Sequence, residues 1–328
     1  MKKFVAWSAN KLLFLYLSNQ KHNDFSYCVD SFTTEKSIRG LPITEPNALV
    51  VEDRNAVCVV IFAVSNTAMR EIGSQLNKMG FTYGENYMYF SDFILNSFKQ
   101  RFFDRLGWQP AQDLYQYALS FNLNSIRPIH TSVLGTLMFL ECLKNTRHLD
   151  GDIAEIGAFE CGNVLCAQNF ISANECSGKT YYVFDSFEGF GDLSNNDPIE
   201  FRKKGDYTLE TSLQRIHDSL RMFPQTRIIK GFVPETFKNL SNYVKFSLVF
   251  YDADLYQPAL DTFAFFWDKI VDGGLLVIHD YEYEPNGFKG VSQATEEFFA
   301  GKDVCLHSFY ENTMAIIRKP GKDTGADQ

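Results

Sequence analysis

The chain has 328 residues and a formal net charge of -9, and 45% of its residues are hydrophobic, 15% aromatic and 22% charged. This is the composition of an ordinary folded protein, and the length is enough for about two globular domains. The acidic balance, with no run of Lys or Arg, argues against binding to nucleic acid or to an anionic membrane surface, because both need a basic face.

Seven cysteines are scattered along the chain without the paired CxxC spacing of a zinc site or a disulfide framework. They indicate reduced thiols, so we expect a cytoplasmic protein. The first stretch, MKKFVAWSANKLLFLYL, is interrupted by Asn10 and Lys11 and is followed by no small-residue cleavage site, so no targeting segment is expected. No stretch reaches the roughly 18 consecutive apolar residues of a membrane span.

Residues 1–95 alternate strand-like and helix-like segments. KKFVAW is strand-like, and KLLFLYLSN, after a short turn, is helix-like. Residues 67–79 have apolar side chains at helical spacing and are followed by Gly80, a usual helix stop. We predict a small α/β domain.

Residues 96–148 are predicted to be a helical linker or lid. Pro110 and Pro128 break the helical pattern. The stretch TSVLGTLMFLECLKN carries a broad apolar face, which we expect to pack on the next domain.

From Asp152 onwards, short apolar strands alternate with helix-length segments. The predicted strands are DIAEIG, YYVFD, TRIIKG, FSLVFYD and GLLVIHD. This order predicts an α/β fold, a doubly wound, mostly parallel Rossmann-like sheet in residues 149–320, with the smaller α/β domain before it and a flexible tail at 321–328. Sheets of this kind bind ligands beyond the carboxyl ends of their strands.

Four of these five strands finish in or at an acid, namely Glu155, Asp185, Asp252 and Asp280. A buried carboxylate without a partner costs several kcal/mol, so positive charge is expected nearby. Asp252 and Asp280 are predicted to end adjacent strands, with His279 beside the second, and this donor set fits a divalent cation.

Other interpretations of these residues stay open. Asp252 also suits the N-terminal dipole of the next helix, and His279 also suits a structural hydrogen bond. Asp254 is the weaker candidate, because Pro258 marks the first turn of that helix.

The turn after the first of these strands reads DIAEIGAFECGNVL. Gly157 and Gly162 allow a ligand to approach the backbone, although the turn needs glycines for its geometry alone as well. The spacing is not GxGxxG, and Glu155 would repel a phosphate but suit a cationic or hydroxyl-rich ligand. Asp185 is placed to bind ribose hydroxyls or, alternatively, to cap the turn at 186–189.

With these features together, residues 125–320 resemble the class I S-adenosylmethionine-dependent methyltransferases of the macrocin O-methyltransferase type, which act on sugar hydroxyls. The motifs follow in the family's order and approximate spacing: EIGAFECG, FDSFEGF, KGFVPETF, DADLYQP and GGLLVIHDY. The later stretch GFKGVSQATEEFF resembles the family's helix behind the metal site.

The resemblance implies S-adenosylmethionine as the cofactor. It places Glu155, Gly157 and Gly162 along the methionine part, Asp185 and Ser186 at the ribose, Phe232 at the adenine, and Asp252 also in contact with the cofactor. It further implies Asp252 as a metal ligand and candidate general base, and Asp280 as a second ligand. We expect a divalent metal, Mg²⁺ or Mn²⁺, on Asp252, His279 and Asp280, with Asp252 or His279 as the general base. The family usually has an aspartate where His279 stands and a glycine where Cys161 stands, and imidazole suits softer metals than Mg²⁺.

We therefore predict an enzyme that methylates a sugar hydroxyl in a nucleotide sugar, a glycan or a glycosylated natural product. The segment 195–207 is a candidate wall of the acceptor pocket or a packing surface. The alternatives are a non-catalytic sensor of S-adenosylmethionine or a sugar nucleotide, and an NAD(P)-dependent sugar-nucleotide reductase, against which the absence of GxGxxG stands.

Residues 1–95 are similar to the small Rossmann-like domains of bacterial polysaccharide-biosynthesis enzymes. Those domains have a glycine loop after the first strand, whereas this chain has AWSANK. A structural or dimer-forming role is therefore favoured over nucleotide binding, and we expect a homodimer.

Overall fold

A computed structural model of the chain describes residues 2–19, 24–63, 65–93, 112–124, 131, 133–173, 178–200, 202–209, 212–281, 289–309 and 314–321. The chain divides into two compact units, one of residues 1–125 and 130–134 and the other of residues 126–129 and 135–328. The predicted three-part division stays a prediction, because much of the predicted linker and nearly all of the predicted tail lie outside the described residues.

The first unit is built on a six-stranded sheet. Its strands are β1 (Lys3–Trp7), β2 (Phe25–Val29), β3 (Ser37–Ile38), β4 (Leu41–Thr44), β5 (Val57–Ile61) and β6 (Tyr87–Tyr89), in the order β3-β4-β2-β1-β5-β6. The helices among its described residues are α1 (Lys11–Asn19), α2 (Asn66–Lys78) and α3 (Gln112–Asn124), and a 3₁₀ turn spans Pro46–Val51. All pairings except β3 with β4 are parallel. The predicted small α/β domain is thus present.

The loop after β1 is closed by side chains of the first unit itself. The Asn10 amide donates to the Phe62 carbonyl, and its oxygen accepts the Leu13 N–H at 3.2 Å. The Asp30 carboxylate, after β2, accepts the Ala9 N–H at 2.8 Å. The first turn of α1 is therefore capped by the chain's own asparagine, at the place where glycine-loop domains hold a phosphate.

The second unit is built on a seven-stranded sheet. Its strands are β7 (Asp152–Ile156), β8 (Tyr181–Asp185), β9 (Thr226–Lys230), β10 (Phe246–Tyr251), β11 (Ile270–Ile278), β12 (Leu306–Phe309) and β13 (Met314–Arg318). Its helices are α4 (Val133–Thr146, in this unit from Gly135), α5 (Gly162–Ala173), α6 (Leu213–Leu220), α7 (Tyr256–Phe266) and α8 (Lys289–Phe299), with 3₁₀ turns at Glu235–Asn239 and Trp267–Lys269.

The strand order of this sheet is β12-β13-β11-β10-β7-β8-β9. The five strands from β7 to β11 are parallel, and β13 runs antiparallel to both β11 and β12. Strands β7, β8 and β10 are buried almost throughout, which explains why they read as continuous apolar runs. The predicted doubly wound, mostly parallel sheet is confirmed.

Aromatic side chains fill the core beside this sheet. Phe246 and Phe184 each meet Phe266 edge-on, with ring centroids 5.1 and 5.9 Å apart. Phe139 of α4 stacks on Phe250 of β10 at 4.7 Å. Such pairs add to the stabilisation from apolar burial, and they fix β10 between α4 and α7.

Among the described residues, no helix combines the length and the apolar character that crossing a bilayer requires.

Gly157 directly follows β7 and has a φ of +84°. A Cβ built at this residue would lie 2.2 Å from the Asp252 carbonyl oxygen. The close passage of the chain after β10 therefore demands glycine here, independently of any ligand.

We expect Gly157→Ala to lower the free energy of unfolding of the second unit by at least about 2 kcal/mol, because it combines a left-handed backbone with a clash against main chain. Denaturant titration measures this loss. The matched control is Gly301→Ala, where φ is +71° but no atom lies within 4 Å. The control should lose only about 1 kcal/mol, and equal losses in the two variants would contradict the steric argument.

Candidate active site

The sheet of the second unit gathers the predicted acids at one edge. Strands β8, β7, β10 and β11 are consecutive neighbours and run parallel. Their carboxyl ends therefore meet, and they carry Asp185, Glu155, Asp252 and Asp280 respectively. The structure thus brings together the residues whose proximity the strand pattern predicted.

Asp252, His279 and Asp280 form a compact cluster. His279 Nδ1 lies 2.8 Å from Asp252 Oδ1 and 3.0 Å from Asp280 Oδ2. The imidazole ring also meets the buried Phe250 ring in an edge-to-face arrangement, with centroids 6.5 Å apart. Both the carboxylates and the aromatic ring below hold the imidazole in one orientation.

The charge of His279 is set by two opposing effects. Burial alone would lower the pKa of the imidazole, but the flanking Asp252 and Asp280 carboxylates outweigh burial and raise this pKa well above its usual value. The imidazolium form is therefore favoured at neutral pH, and it supplies the positive charge that the buried acids require.

Asp254 belongs to this cluster, although the sequence argument set it aside as an acid that favours a helix dipole. It has a left-handed φ of +63°, and the N-cap of α7 is Leu255. Burial raises the pKa of Asp254 well above its usual range, and the charge of Asp280 and a hydrogen bond with it raise it further. Asp254 is therefore a proton-carrying partner of Asp280. The acid-x-acid spacing after a strand was the available signal.

Glu155 lies in the last part of β7 and is almost completely buried. Its carboxylate accepts a hydrogen bond from the Tyr181 hydroxyl of β8. Burial raises the pKa of Glu155 to about 8; the Tyr181 hydrogen bond lowers it, and the charges of Asp252 and Asp185 raise it. Tyr181 was missed from sequence, although strand alternation places it diagonally opposite Glu155 on the same face.

Asp185 holds the loop that follows β7. Its Oδ2 accepts the N–H groups of Ala158 and Phe159 at 2.7 and 2.8 Å, and its Oδ1 accepts the Phe187 N–H at 2.6 Å. Ser186 donates through its hydroxyl to the Gly189 carbonyl at 2.8 Å. Both predicted ribose contacts therefore have a structural use as well, and the loop from Gly157 into α5 is held next to Asp185.

Two residues of that loop that are not glycine adopt the left-handed backbone conformation. Phe159 and Cys161 have φ values of +45° and +60°. Gly162 is the first residue of α5, so the amino end of this helix faces the loop. The N–H groups of Ala158 and Phe159 donate to Asp185, and that of Cys161 donates to the Ala158 carbonyl. What this turn offers a ligand is therefore the amino end of α5 rather than the loop amides.

Phe232 follows the end of β9 and leaves 41% of its surface exposed. A Cβ built on Gly191 would stand 3.3 Å from the Phe232 ring, so a larger residue there would push the ring back by a few tenths of an ångström. An exposed ring at a strand end suits stacking with a planar base.

The chain from 188 to 209, which we name the covering loop, closes on itself above this edge. Glu188 and Thr208 form a β-bridge, and the Phe190 N–H donates to the Asp206 carbonyl at 2.9 Å. The Tyr207 ring lies edge-on to Phe159, with centroids 5.9 Å apart. The covering loop, described except for residue 201, thereby contacts the loop after β7.

The residues present fit both groups that the motifs imply. The ligand atoms of Asp252, His279 and Asp280 all lie within 4.8 Å of one another, as the donors around a single divalent ion do. For an adenosyl cofactor, the amino end of α5, the Glu155 carboxyl group and the exposed Phe232 ring provide a helix dipole, an acid and a stacking surface.

Comparison with known proteins places this edge inside a recognised family segment. Residues 139–306 match the macrocin O-methyltransferase (TylF) family. The chain is 22% identical over 171 residues to mycinamicin III 3''-O-methyltransferase of Micromonospora griseorubida, which covers 46% of this chain and 67% of that protein. It is 22% identical over 174 residues to demethyldecarbamoylnovobiocin O-methyltransferase of Streptomyces niveus, which covers 50% of this chain and 64% of that protein.

A crystal structure of CalS11, calicheamicin methyltransferase, shares the fold, with a TM-score of 0.51 and 14% identity over 81% of this chain and 96% of that one. The match to the curated relatives spans about two thirds of their length.

The raised pKa of Glu155 makes stability depend on pH. The folded pKa of about 8 lies above the ordinary 4.5, so between these values the folded unit binds more protons than the unfolded chain. The free energy of unfolding must then fall as pH rises through this window. We expect Glu155→Gln, which keeps an acceptor for Tyr181, to gain stability relative to the parent by up to about 1.4 kcal/mol per pH unit.

Denaturant titrations of both proteins between pH 5 and pH 9 measure this difference. Tyr181→Phe is a second test variant, because it removes the hydroxyl that lowers the pKa of Glu155. In this variant the pH-dependent fall in the free energy of unfolding should extend to higher pH. Parallel stability curves for the parent and Glu155→Gln would contradict a buried, protonated Glu155.

Proposed function

The chain belongs to the macrocin O-methyltransferase (TylF) family, and we propose that it transfers a methyl group from S-adenosylmethionine to a hydroxyl of a sugar. The predicted O-methyltransferase class is confirmed by the family match. The acceptor class, the metal and the role of each residue are our proposals.

The observation that carries this proposal is the cluster of Asp252, His279 and Asp280 at the carboxyl ends of two adjacent parallel strands. It lies inside the matched segment, at the edge of the sheet where doubly wound folds bind their ligands. The two curated relatives are named as O-methyltransferases of mycinamicin III and of demethyldecarbamoylnovobiocin. A hydroxyl on a sugar or a glycosylated natural product is the acceptor that this family membership favours.

We assign the cofactor to the loop after β7. S-adenosylmethionine, when bound, supplies an electrophilic methyl group on a sulfonium. Glu155 offers a carboxylate to the cationic methionine part, and Gly157 and Gly162 bound the loop that follows. Asp185, which holds that loop, and Ser186 would line the ribose. The exposed Phe232 ring would stack on the adenine.

Asp252 is the proposed general base. Its carboxylate sits at the strand end next to the cofactor loop, because the Asp252 N–H donates to the Ile156 carbonyl at 2.7 Å. His279 holds its proton between two carboxylates, so Asp252 is the better acceptor for a proton from the sugar hydroxyl. Most of the rate gain should come from holding the hydroxyl in line with the methyl group, which contributes roughly 7–11 kcal/mol in well-oriented reactions.

We also propose that a divalent ion binds at Asp252, His279 and Asp280. Two carboxylates and one imidazole nitrogen are within reach of a single ion. Because a nitrogen that binds a metal must be deprotonated, the ion would replace the proton that His279 holds between the two carboxylates. Such an ion, when bound, acidifies and orients hydroxyl groups. The imidazole favours Mn²⁺ over Mg²⁺, because nitrogen donors suit transition metals better than oxygen-seeking Mg²⁺.

The cellular setting is a further part of the proposal. None of the six described cysteines forms a disulfide, and five of them are buried. Free thiols are typical of a reducing compartment, which supports a cytoplasmic site of action. We propose a homodimer as the working assembly, with the first unit in a structural role.

The function is tested by mass spectrometry of a panel of nucleotide sugars and glycosides after incubation with the protein and S-adenosylmethionine. We expect one acceptor class to gain one methyl group. Asp252→Asn should lower kcat by at least about 100-fold, as expected when a general base is lost, while calorimetry shows little change in cofactor affinity. Asp303→Asn, at an exposed position, is the control.

Cofactor binding without methyl transfer to any acceptor would point to a sensor. Unchanged turnover in Asp252→Asn would remove this residue from the mechanism.

The metal is tested by activity and by direct binding. Chelator should abolish transfer, and added Mn²⁺ or Mg²⁺ should restore it. Electron paramagnetic resonance of free Mn²⁺ should show binding to the parent and binding weakened about 10- to 100-fold or more in His279→Ala, which lacks one donor. His279→Asp, which restores an oxygen donor, should shift the preference towards Mg²⁺. Full activity in chelator, with no Mn²⁺ bound, would reject a metal.

A further inference from the structure

The turn that carries the proposed base is held from outside by an acid of the covering loop. We propose that Asp197 is a positioning residue, which fixes the Asp252–Leu255 turn and couples it to the covering loop over the acceptor. This inference rests on the proposed methyl transfer and assigns a function to a residue that no motif singled out.

Helix α7 begins without a capping side chain of its own. Its N-cap is Leu255, which has no hydrogen-bonding side chain. The first helical N–H, that of Tyr256, donates instead to Asp197 Oδ1 at 2.7 Å. A carboxylate at this place satisfies an otherwise unpaired donor and complements the helix dipole. Asp197, 59 positions earlier in the chain, therefore caps the helix that follows the acidic turn.

The orientation of the Asp197 carboxylate is fixed. Its other oxygen, Oδ2, accepts both the N–H and the hydroxyl of Ser194, each at 2.7 Å. The Asp197 N–H returns a bond to the Ser194 carbonyl at 3.1 Å. Asp197 is only 6% exposed. The side chain is thus a rigid link between the covering loop and α7.

The acidic turn is anchored at its other contacts by the sheet. The Tyr251 hydroxyl donates to the Leu255 carbonyl at 2.6 Å, and the Leu255 N–H donates to the Ala253 carbonyl at 2.8 Å. Between these anchors, Asp254 takes its left-handed backbone conformation. The Asp197 contact sets where the turn passes into α7, and so it helps to hold the direction of Asp252 and Asp254.

A third element closes on the same point. A Cβ on Gly290, in the first turn of α8, would lie 2.9 Å from both Asp197 Oδ1 and the Asn196 carbonyl oxygen, and 3.0 Å from Tyr256 Cβ. Gly290 is itself buried. Glycine at this position therefore makes room for the Asp197 contact, and a larger residue must push it aside.

The covering loop connects the Asp197–Tyr256 contact to the cofactor side of the edge. One part of the loop is fixed to α7 through Asp197, and another part meets Phe159 of the loop after β7 through Tyr207. Movement of the loop over an acceptor must therefore act on the turn that carries the base. Loss of the Asp197 contact should therefore change kcat rather than the affinity for the cofactor.

The experiment compares Asp197→Ala and Asp197→Asn with the parent enzyme. Asp197→Ala loses both sets of hydrogen bonds, and a small misplacement of reacting groups lowers kcat by about 100-fold. Asp197→Asn keeps an oxygen for the Tyr256 N–H and should keep kcat within about 10-fold of the parent. We expect cofactor affinity, measured by calorimetry, to stay nearly the same in both.

Ser212→Ala is the matched control, because Ser212 caps α6 through the Arg215 N–H and belongs to the same unit. It should lower the melting temperature but leave kcat unchanged. Gly290→Ala attacks the Asp197 contact from the other side and should lower kcat with cofactor affinity retained. Gly290→Ala also tests the proposal independently if Asp197→Ala does not fold.

Hydrogen exchange separates this inference from the proposed function, because it needs no turnover. The amides of residues 252–256 should lose protection in Asp197→Ala but not in Ser212→Ala. If the parent transfers no methyl group, the proposed function fails, and the exchange result alone decides whether Asp197 fixes the turn. Unchanged protection there, or an Asp197→Ala kcat equal to that of the parent, would overturn the proposal.

Discussion

The structure of the second unit depends on how buried acids are compensated at the carboxyl edge of its sheet. Each acid has a different partner. Backbone N–H groups surround Asp185, a tyrosine hydroxyl and a retained proton serve Glu155, and His279 lies between the carboxylates of Asp252 and Asp280. Because an uncompensated charge at this depth costs several kcal/mol, the edge is stable only while these partners are in place. The need for compensation therefore fixes the positions of the side chains to which we assign the chemistry.

Such an edge is prepared for a cationic ligand. The raised pKa values of Glu155 and Asp254 show that the folded protein holds protons on acids that would be ionised in water. A sulfonium cofactor, or the divalent ion that we propose, would offer the same compensation from outside, and its binding would release a proton. Stability and ligand affinity are consequently linked through pH, and perturbed pKa values concentrate where function is proposed.

The sequence predicted the parts of this site that follow from chain periodicity. Buried parallel strands are recognisable as apolar runs, and an acid at the end of one lies near an acid at the end of the next. The proximity of Asp252, His279 and Asp280 could therefore be predicted. Asp254 was set aside, because its position just before the next helix suggested a dipole role. The acid-x-acid spacing was visible in the sequence, but the left-handed turn that brings Asp254 to Asp280 was not. The role of Asp197 could not be predicted from the sequence, because its partner, Tyr256, is 59 positions away and no sequence pattern encodes that pairing.

The two units show why an acid after a second strand is weak evidence for a ligand. In the first unit, Asp30 Oδ2 takes the Ala9 N–H and Oδ1 takes the Phe32 N–H, two positions on. In the second unit, Asp185 repeats this arrangement with Ala158 and Phe187. The acid therefore closes the first loop in both, whatever is bound. The two units differ at the end of the strand on the other side of the first strand. In the first unit, Asn10 ties the loop to the Phe62 carbonyl after β5. In the second unit, Asp252, His279 and Asp280 lie at the ends of β10 and β11. The acids beyond the shared loop closure, rather than the fold, distinguish the unit to which we assign the chemistry.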